Sequence, residues 1–276
     1  MAGFSTYSAI RTAMDAQQTE HFTYRKSGPS SGFVSFIFQS YWQRAGTPPA
    51  IGSITGGVYT NEPTTITFQD RPGLKKYIAG VELGEIGYAG GARLRIPLML
   101  FDRLVGNAFP ASIGILSLPP LVLPRYASGL GVSAWLESST PGGSGSPTIQ
   151  LSSYTNSDGV TGRSGPSRIW STGSYQLYPL PLQAGDMGVR SVESITIGGT
   201  TATGTASVLL LKPILTVVAH IEPSRKHQIT TQDFLLDQFA FPRVYDGASL
   251  SFAVGTEGTV AYTPPAIYGT VRMVYG

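Results

Sequence analysis

The amino-acid sequence predicts a mainly β protein: an antiparallel β-sandwich of jelly-roll type, with a short N-terminal helix and arm and a C-terminal helix-strand extension. The chain has 34 glycines and 20 prolines in 276 residues, which is typical of many short strands joined by tight turns. It also has 14 Tyr, 12 Phe and 3 Trp, whereas disordered chains are poor in aromatic residues. Apolar and polar residues alternate in many short segments, with the period of a half-buried strand.

A β-hairpin is predicted in the second half of the chain. Residues 189–197 form its first strand, a Gly-Gly pair its turn, and residues 206–211 its second strand. Alternation in the first strand places Ile195 and Ile197 on one face and Val192 on the other. The second strand is apolar at consecutive positions, so we expect it to be covered on both faces.

Prolines indicate where neighbouring strands end. Proline has no N–H to donate to a ladder, so Pro213 should stop the second strand, and residues 214–218 should form a separate one. Pro97 lies inside the best alternating segment, residues 92–104, and indicates an edge strand or a bulge there.

Further strands are predicted along the chain by the same alternation. They are residues 64–69, 76–83, 132–137 and 148–154, a long strand at 241–254 and a C-terminal strand at 267–275. A helix is predicted before the strand at 241–254, where Thr230 or Thr231 can cap an amphipathic segment that ends at Phe239.

The N-terminal residues 1–45 are predicted to be an assembly arm. Residues 5–18 have an apolar stripe at helical spacing, and residues 33–42 form an aromatic strand that is apolar on both faces. The rest of the chain divides into a sandwich core, residues 46–218, and a C-terminal extension, residues 219–276, that completes it. The candidate interface residues in the arm are Phe4, Tyr7, Ile10, Met14, Phe33, Phe36, Phe38 and Trp42.

Charge is sparse in this chain, and this limits its partners. Charged residues are 13% of the total, about half the usual quarter, which favours a surface that is largely covered by other protein. The net charge of +3 is weak and scattered, so no nucleic-acid surface is predicted.

The N-terminus lacks the pattern of a secretory signal, and no stretch is long and apolar enough for a membrane helix. We therefore expect a protein that is made and used on the cytoplasmic side, or released by lysis rather than secretion, and that has no membrane partner.

The residues that commonly carry catalysis are not grouped by their spacing. Ser144 lacks the second glycine of a nucleophile elbow, and Glu82 and Glu85 point to opposite faces of a strand. The chain has no cysteine. No catalytic residue, metal site or cofactor is predicted. None of the three histidines lies at metal-ligand spacing from another histidine or a carboxylate: His21, His220 and His227.

Several segments resemble a family of virion structural proteins encoded by tailed bacteriophages. The resemblance implies a β-rich particle component without catalytic residues, and it leaves head and tail locations open. It covers roughly residues 77–252 and rests on the order and spacing of five segments: LPRYASGLGVSAWLE (123–137), SYTNSDGVTGRS (153–164), YPLPLQAGDMGVRSVESITI (178–197), SVLLLKPILTV (207–217) and FPRVYDGASLSF (241–252).

Three functions follow as hypotheses. The first is a non-enzymatic capsid decoration or cement protein, located in the virion, that forms a homo-oligomer and contacts the major capsid protein. The second is a tail- or fibre-associated protein that binds host glycan, for which Tyr154, Trp170 and Tyr175 are candidate aromatics on loop tips. The third is a β-sandwich hydrolase.

Overall fold

The computed structural model describes residues 4, 6–28, 38–51, 56–86, 94–138, 147–170, 176–199, 204–221, 229–234, 241–255 and 266–276. These residues contain one helix, α1 (Tyr7–Asp15), and 17 strands. The strands are β1 (Thr19–Lys26), β2 (Phe38–Ser40), β3 (Gly46–Thr47), β4 (Gly57–Val58), β5 (Lys76–Ile86), β6 (Leu94–Pro110), β7 (Gly114–Ser117), β8 (Ser133–Ser138), β9 (Thr148–Asn156), β10 (Arg168–Ile169), β11 (Gln176–Leu180), β12 (Val189–Gly198), β13 (Thr205–Ile221), β14 (Ile229–Asp233), β15 (Arg243–Val244), β16 (Leu250–Val254) and β17 (Ala266–Tyr275).

The strands form three antiparallel sheets. The terminal sheet has the order β14-β5-β17-β1-β3, with β15 also paired to β5. The small sheet has the order β10-β9-β12-β7, and the central sheet has the order β13-β8-β11-β2-β16-β6-β4. These pairings confirm the predicted class, a mainly β antiparallel protein.

The central sheet closes into a barrel, because β13 pairs with β6 as well as with β8. The closed ring is β13-β8-β11-β2-β16-β6, and β4 adds to β6 beside β16. β6 and β13 are each 17 residues long and pair along almost their whole length. Closure gives each strand of the ring a partner on both edges, which removes the free edges of an open sheet.

Large apolar side chains fill the barrel. Direct cross-strand partners share one face of a sheet, and the register pairs Trp135 with Leu209 on the inner face. The Phe101 and Trp135 rings meet edge to face with their centroids 5.3 Å apart. The inner face is therefore a packed core, not a channel.

Two charged side chains are buried in the same interior. The guanidinium of Arg103 lies over the ring of Tyr59 at 4.2 Å and near the ring of Trp42 at 4.9 Å. Burial raises the pKa of Glu137, and the charge of Arg103 opposes that shift. Both side chains lie inside the barrel, away from solvent, and are part of the scaffold.

Two further apolar cores lie outside the barrel, and they join the three sheets into a layered sandwich. One packs between the barrel and the terminal sheet, and the other packs between the barrel and the small sheet. Strand β6 serves both, since Leu100 belongs to the first core and Leu104 to the second. The predicted β-sandwich is confirmed, with a closed barrel as its middle layer.

A buried ion pair lies between those two cores. The Nε and Nη2 atoms of Arg125 donate to the carboxylate of Asp102 at 2.9 and 2.7 Å. The same Nη2 donates to the carbonyls of Tyr59 and Arg103, and Ser249 N donates to Asp102 at 3.0 Å. Four chain segments are therefore joined at one carboxylate-guanidinium pair.

The predicted hairpin is wrong, although both of its strands exist. β12 pairs with β9 and β7 in the small sheet, whereas β13 lies in the barrel, so the chain crosses between layers after Gly199.

The prediction that residues 206–211 are covered on both faces is confirmed. Leu209 faces the barrel interior and Val208 faces the small sheet, and both are buried. A strand with two apolar faces needs a layer on each side, which a hairpin in an outer sheet does not provide.

Both proline predictions are wrong. β13 continues through Pro213, and a register shift between Pro213 and Leu215 absorbs the missing donor. Pro97 lies within regular pairing of β6 to β13. Its carbonyl accepts from Gly255 N at 2.8 Å, so its backbone faces the edge along which β16 ends, and no ladder bond to β13 is lost.

Bulges also change the burial pattern of β12. Its register shifts between Val192 and Ser194 and again between Ser194 and Ile195. Val192 is therefore buried together with Ile195 and Ile197, on the same core rather than on the opposite face.

The C-terminal predictions are corrected in two places. Residues 229–233 form strand β14, not the start of a helix, because they pair along the edge of β5; residues 235–240 lie outside the described part of the chain. The long strand at 241–254 is split between β15 in the terminal sheet and β16 in the barrel. The last strand is confirmed as β17.

Near the N-terminus the helix is confirmed as α1, whereas the aromatic strand ends at Ser40 rather than at residue 42, and residues 64–69 do not form a full strand. Of the aromatic strand, β2 is described, and the segment before Phe38 lies outside the described residues. From the segment 64–69, the described pairing is a single bridge between Ile66 and Leu250.

The described N-terminal residues belong to the sandwich, which corrects the expectation of a detached arm. β1 pairs with β17 over its full eight residues, and Tyr24 is in the core under the terminal sheet. Ile10 and Ala13 bury one side of α1. The boundaries after residues 45 and 218 stay a prediction.

We predict that Leu209→Asp prevents folding. The carboxylate would be buried in the barrel without a partner, which costs several kcal/mol against a total stability of about 5–15 kcal/mol. Val218→Asp is the matched control, since Val218 lies on the same strand and is 39% exposed. A cooperative thermal transition in soluble Leu209→Asp protein, equal to that of the control, would contradict the barrel assignment.

We also predict that Asp102→Asn and Arg125→Met each destabilise the protein by about 3–5 kcal/mol, because each leaves a buried partner unpaired. The double variant should lose less than the sum of the two. Urea denaturation measures all three. Arg11→Met is the control, since its pair with Asp15 is exposed and should contribute less than about 1 kcal/mol.

Candidate assembly surface

The small sheet covers the barrel with one face and presents the other face to solvent. Its outer side chains are mostly hydroxyls and amides, and cross-strand partners form rows across the sheet. One row contains Ile115, Thr196 and Gln150. In the next, the hydroxyls of Ser152 and Ser194 are 2.9 Å apart. We call this outer face, together with strand β7, the hydroxyl face.

The few charges on this sheet are used within the chain. Its four strands contain three charged residues, Arg168, Arg190 and Glu193. Arg168 donates to the carbonyl of Pro179 at 3.2 Å, and Arg190 donates to the carbonyl of Ser157 at 2.7 Å. The Glu193 carboxylate accepts from the hydroxyls of three neighbouring residues: Ser153, Thr155 and Ser191. All three charged side chains of the sheet are therefore held by neutral partners within the chain; they keep their charges, but they are few for a surface made of four strands.

Exposed isoleucines stand at both edges of the same sheet. Ile115 on β7 is 73% exposed, and Ile169 on β10 is 64% exposed. Soluble proteins usually protect edge strands with charged residues or proline, and β7 contains neither. This combination is typical of a surface that another protein chain covers.

One end of the hydroxyl face is held by a cluster around Asp186. Arg163 donates to both of its oxygens at 2.9 and 3.1 Å, and Asn156 donates at 2.8 Å. The hydroxyl of Tyr154 donates to the same carboxylate. These donors, with Arg163 the strongest, lower the pKa of Asp186 to about 2. The cluster fixes the loop after β9 to the turn before β12.

The predicted interface residues of the helix lie against the chain's own terminal sheet. The Phe4 ring packs on Tyr77 at 5.3 Å, Ile10 is buried, and Met14 is half-buried. The backbone of Tyr7 is in α1, and its side chain lies outside the description. Ile10 is thus a core residue of this chain, because the sheet below it already covers its surface.

The predicted interface residues of the aromatic strand lie in the barrel. Phe38 meets Trp135 edge to face at 5.5 Å, and Trp42 is fully buried. Phe33 and Phe36 lie outside the described residues. Trp42 is therefore a core residue, and a contact with a neighbouring subunit stays a prediction for the rest of the group: Phe4, Tyr7, Met14, Phe33, Phe36 and Phe38.

Two of the three candidate glycan-binding aromatics, Tyr154 and Trp170, are not on exposed tips. Tyr154 and Trp170 are both in the core under the small sheet, and Tyr175 lies outside the described residues. The prediction is wrong for the first two: both residues lie next to turns in the sequence, but their rings point into the sandwich core.

Where the structure describes the catalytic and metal-binding candidates, it does not bring them together. Among the described residues, no group of three or more His, Asp or Glu side chains could hold a metal ion. Ser144 and His227 lie outside that description, as do the side chains of Glu85 and His220. His21 and Glu82 lie on the outer face of the terminal sheet. In the part of the chain that is described, no helix is long and apolar enough to cross a membrane.

Sequence reasoning missed the hydroxyl face. The signal was present in residues 148–156, a strand of nine residues without any charge. Its alternation predicted one buried face correctly, but the composition of the other face was not considered.

Comparison with known proteins adds little. No family model and no curated protein matches the chain. Among solved structures, the structure of infectious bursal disease virus Gx strain is similar over 94% of this chain and 81% of that one, at 8% identity and a TM-score of 0.19. The crystal structure of the infectious bursal disease virus VP2 subviral particle is similar over 93% and 80%, at 11% identity and a TM-score of 0.16. At these TM-scores the likeness carries no argument about this chain.

We predict that Asp186→Asn lowers the melting temperature at neutral pH and that its effect fades in acid. The folded-state pKa of about 2 is below the ordinary value of 3.8, so the carboxylate stabilises the fold above pH 4 and loses that contribution as the pH falls toward 2. Thermal melts of both proteins from pH 7 to pH 2 measure this. Asp158→Asn, at an exposed position of the same loop, should show no such pH-dependent difference.

Proposed function

We propose that the chain is a non-enzymatic structural protein of a virus particle, and more narrowly a capsid decoration or cement protein of a tailed bacteriophage. Its partners in this proposal are the major capsid protein and other copies of itself. The narrow form rests on the resemblance of five segments to virion proteins of tailed phages. The broad form rests on the surface described above.

The hydroxyl face is the observation that carries the proposal. A solvent-facing sheet usually carries charges that keep monomers apart, and here the three charged residues of the sheet are engaged within the chain. Hydroxyls and exposed isoleucines can be buried against protein at little desolvation cost compared with charges. The face therefore suits permanent contact in an assembly.

The rest of the described chain suits a rigid particle component. The barrel interior is filled, and the ion pair of Asp102 and Arg125 locks the layers together. The buried polar groups described here bind to parts of the scaffold rather than opening onto a cleft. This supports a structural role over the hydrolase alternative.

A specific observation favours the second candidate, a tail- or fibre-associated protein that binds glycan. A groove of about 300 Å³ crosses the outer face of the terminal sheet. Its lining contains both donors and acceptors, the two kinds of group that bind a polyhydroxylated ligand: His21, Glu82, Thr231, Asp233, Thr270 and Arg272, of which Arg272 and Asp233 form an ion pair. The two candidates differ in where the protein resides, since a cement protein belongs with heads and a glycan binder with tails.

We predict that Thr196→Glu abolishes incorporation into particles while the free protein folds normally. The new carboxylate would sit in the middle of the hydroxyl face and be buried without a partner on assembly. Thr23→Glu is the matched control, on the exposed face of the terminal sheet, and should incorporate at the normal level.

Purified particles, separated into heads and tails, measure this by quantified gel bands. Wild-type protein should accompany heads in a simple ratio to the capsid subunit. Its absence from particles would refute the proposal, and its recovery with tails would support the glycan-binding candidate instead.

A further inference from the structure

Strand β7 ends the small sheet and leaves one edge open. Its other edge pairs with β12, in a register that places Leu116 opposite Ile195 and Ser117 opposite Ser194. Among the described residues no strand pairs with the outer edge of β7. Ile115 is 73% exposed, so the described residues leave most of its side chain uncovered.

The hydrogen-bond pattern shows which backbone groups face that open edge. Leu118 N donates to the carbonyl of Glu193 at 2.8 Å, so residue 118 points toward β12. Neighbouring residues of a strand point their N–H and C=O groups to opposite edges. Leu116 therefore also points to β12, and Ile115 and Ser117 present their N–H and C=O groups to the open edge.

We propose that this edge pairs with the same edge of a second copy of the chain, antiparallel and about a two-fold axis through Leu116. Ile115 of one copy then lies opposite Ser117 of the other, and the reverse pair is related by symmetry. Each pair is a hydrogen-bonded one, so all four backbone donors and all four acceptors at the open edges are used. The two small sheets become one continuous sheet.

Charge and shape both favour a second copy of this chain as the partner of the open edge. Residues 113–118 contain no charged residue, so two copies meet without like-charge repulsion. An isologous contact needs a surface that complements itself, and a short antiparallel edge with its axis at the central residue does so. The side chains of Ile115 and Ser117 lie on the hydroxyl face, so pairing also makes that face continuous across two copies.

This inference rests on the proposed function, because it names the partner of the hydroxyl face, and it also predicts a register that can be tested alone. The chain has no cysteine, so an introduced thiol can pair only with another introduced thiol. Residues in a hydrogen-bonded antiparallel pair have Cα atoms about 5.5 Å apart, within the disulfide range of about 4.4–6.8 Å. Two Ile115 residues would be roughly 9 Å apart on the diagonal, too far to bridge.

The experiment mixes two full-length variants, Ile115→Cys and Ser117→Cys, under mild oxidation. An equimolar mixture should give a disulfide-linked dimer on a non-reducing gel, and either variant alone should give none. Cross-linking of Ile115→Cys alone, or no cross-link in the mixture, would overturn the proposed register. Val122→Cys is the control for random collision, since Val122 is 83% exposed and away from β7.

Sedimentation of cysteine-free variants provides an independent readout. Ile115→Lys should weaken the dimer about tenfold or more, because a charge enters an uncharged contact, and Val122→Lys should leave it unchanged. A wild-type protein that is monomeric up to its solubility limit and that gives no cross-link would overturn the inference. If it nevertheless entered particles normally, the proposed function would stand; a dimer that failed to enter particles would refute that function alone.

Discussion

The pair formed by Asp102 and Arg125 is the interaction on which the rest of the structure depends. Asp102 lies on β6 at the point where one apolar core ends and the other begins, and Arg125 reaches it from the segment between β7 and β8. Arg125 also binds the carbonyls of Tyr59 and Arg103, and Asp102 accepts from Ser249 N. Hydrophobic contact alone does not fix the angle between two sheets, whereas a bidentate pair with these extra partners fixes four segments at once.

The closed barrel explains why so many polar groups can be buried in this chain. An open central sheet would leave the edges of β6 and β13 exposed, and the ring provides partners for both. The barrel wall then screens Arg103 and Glu137, which share the interior with aromatic rings. The two outer sheets only have to cover the outside of the barrel, so they can be built from shorter strands.

Much of the fold could be predicted from the sequence, because the signals were local. The strand at 206–211 was predicted to be covered on both faces from four consecutive apolar residues, and α1 and β17 were predicted from their periodicity. The pairing of strands was less accessible. A Gly-Gly pair is compatible with a hairpin and also with a crossing between layers. Residues 229–233 form a strand because they pair along the edge of β5. The hydroxyl face was not predicted, because it depends on the small number of charged residues in several strands that lie side by side only in the folded sheet.

The two long strands of the barrel have a mechanical consequence. β6 and β13 pass under both outer sheets and pair almost from end to end, so the two halves of the molecule share one continuous ladder. Pulling the small sheet away from the terminal sheet along those strands would load many hydrogen bonds in shear at the same moment, instead of opening them one after another. The molecule should therefore respond to tension as one stiff unit, without a hinge between its layers.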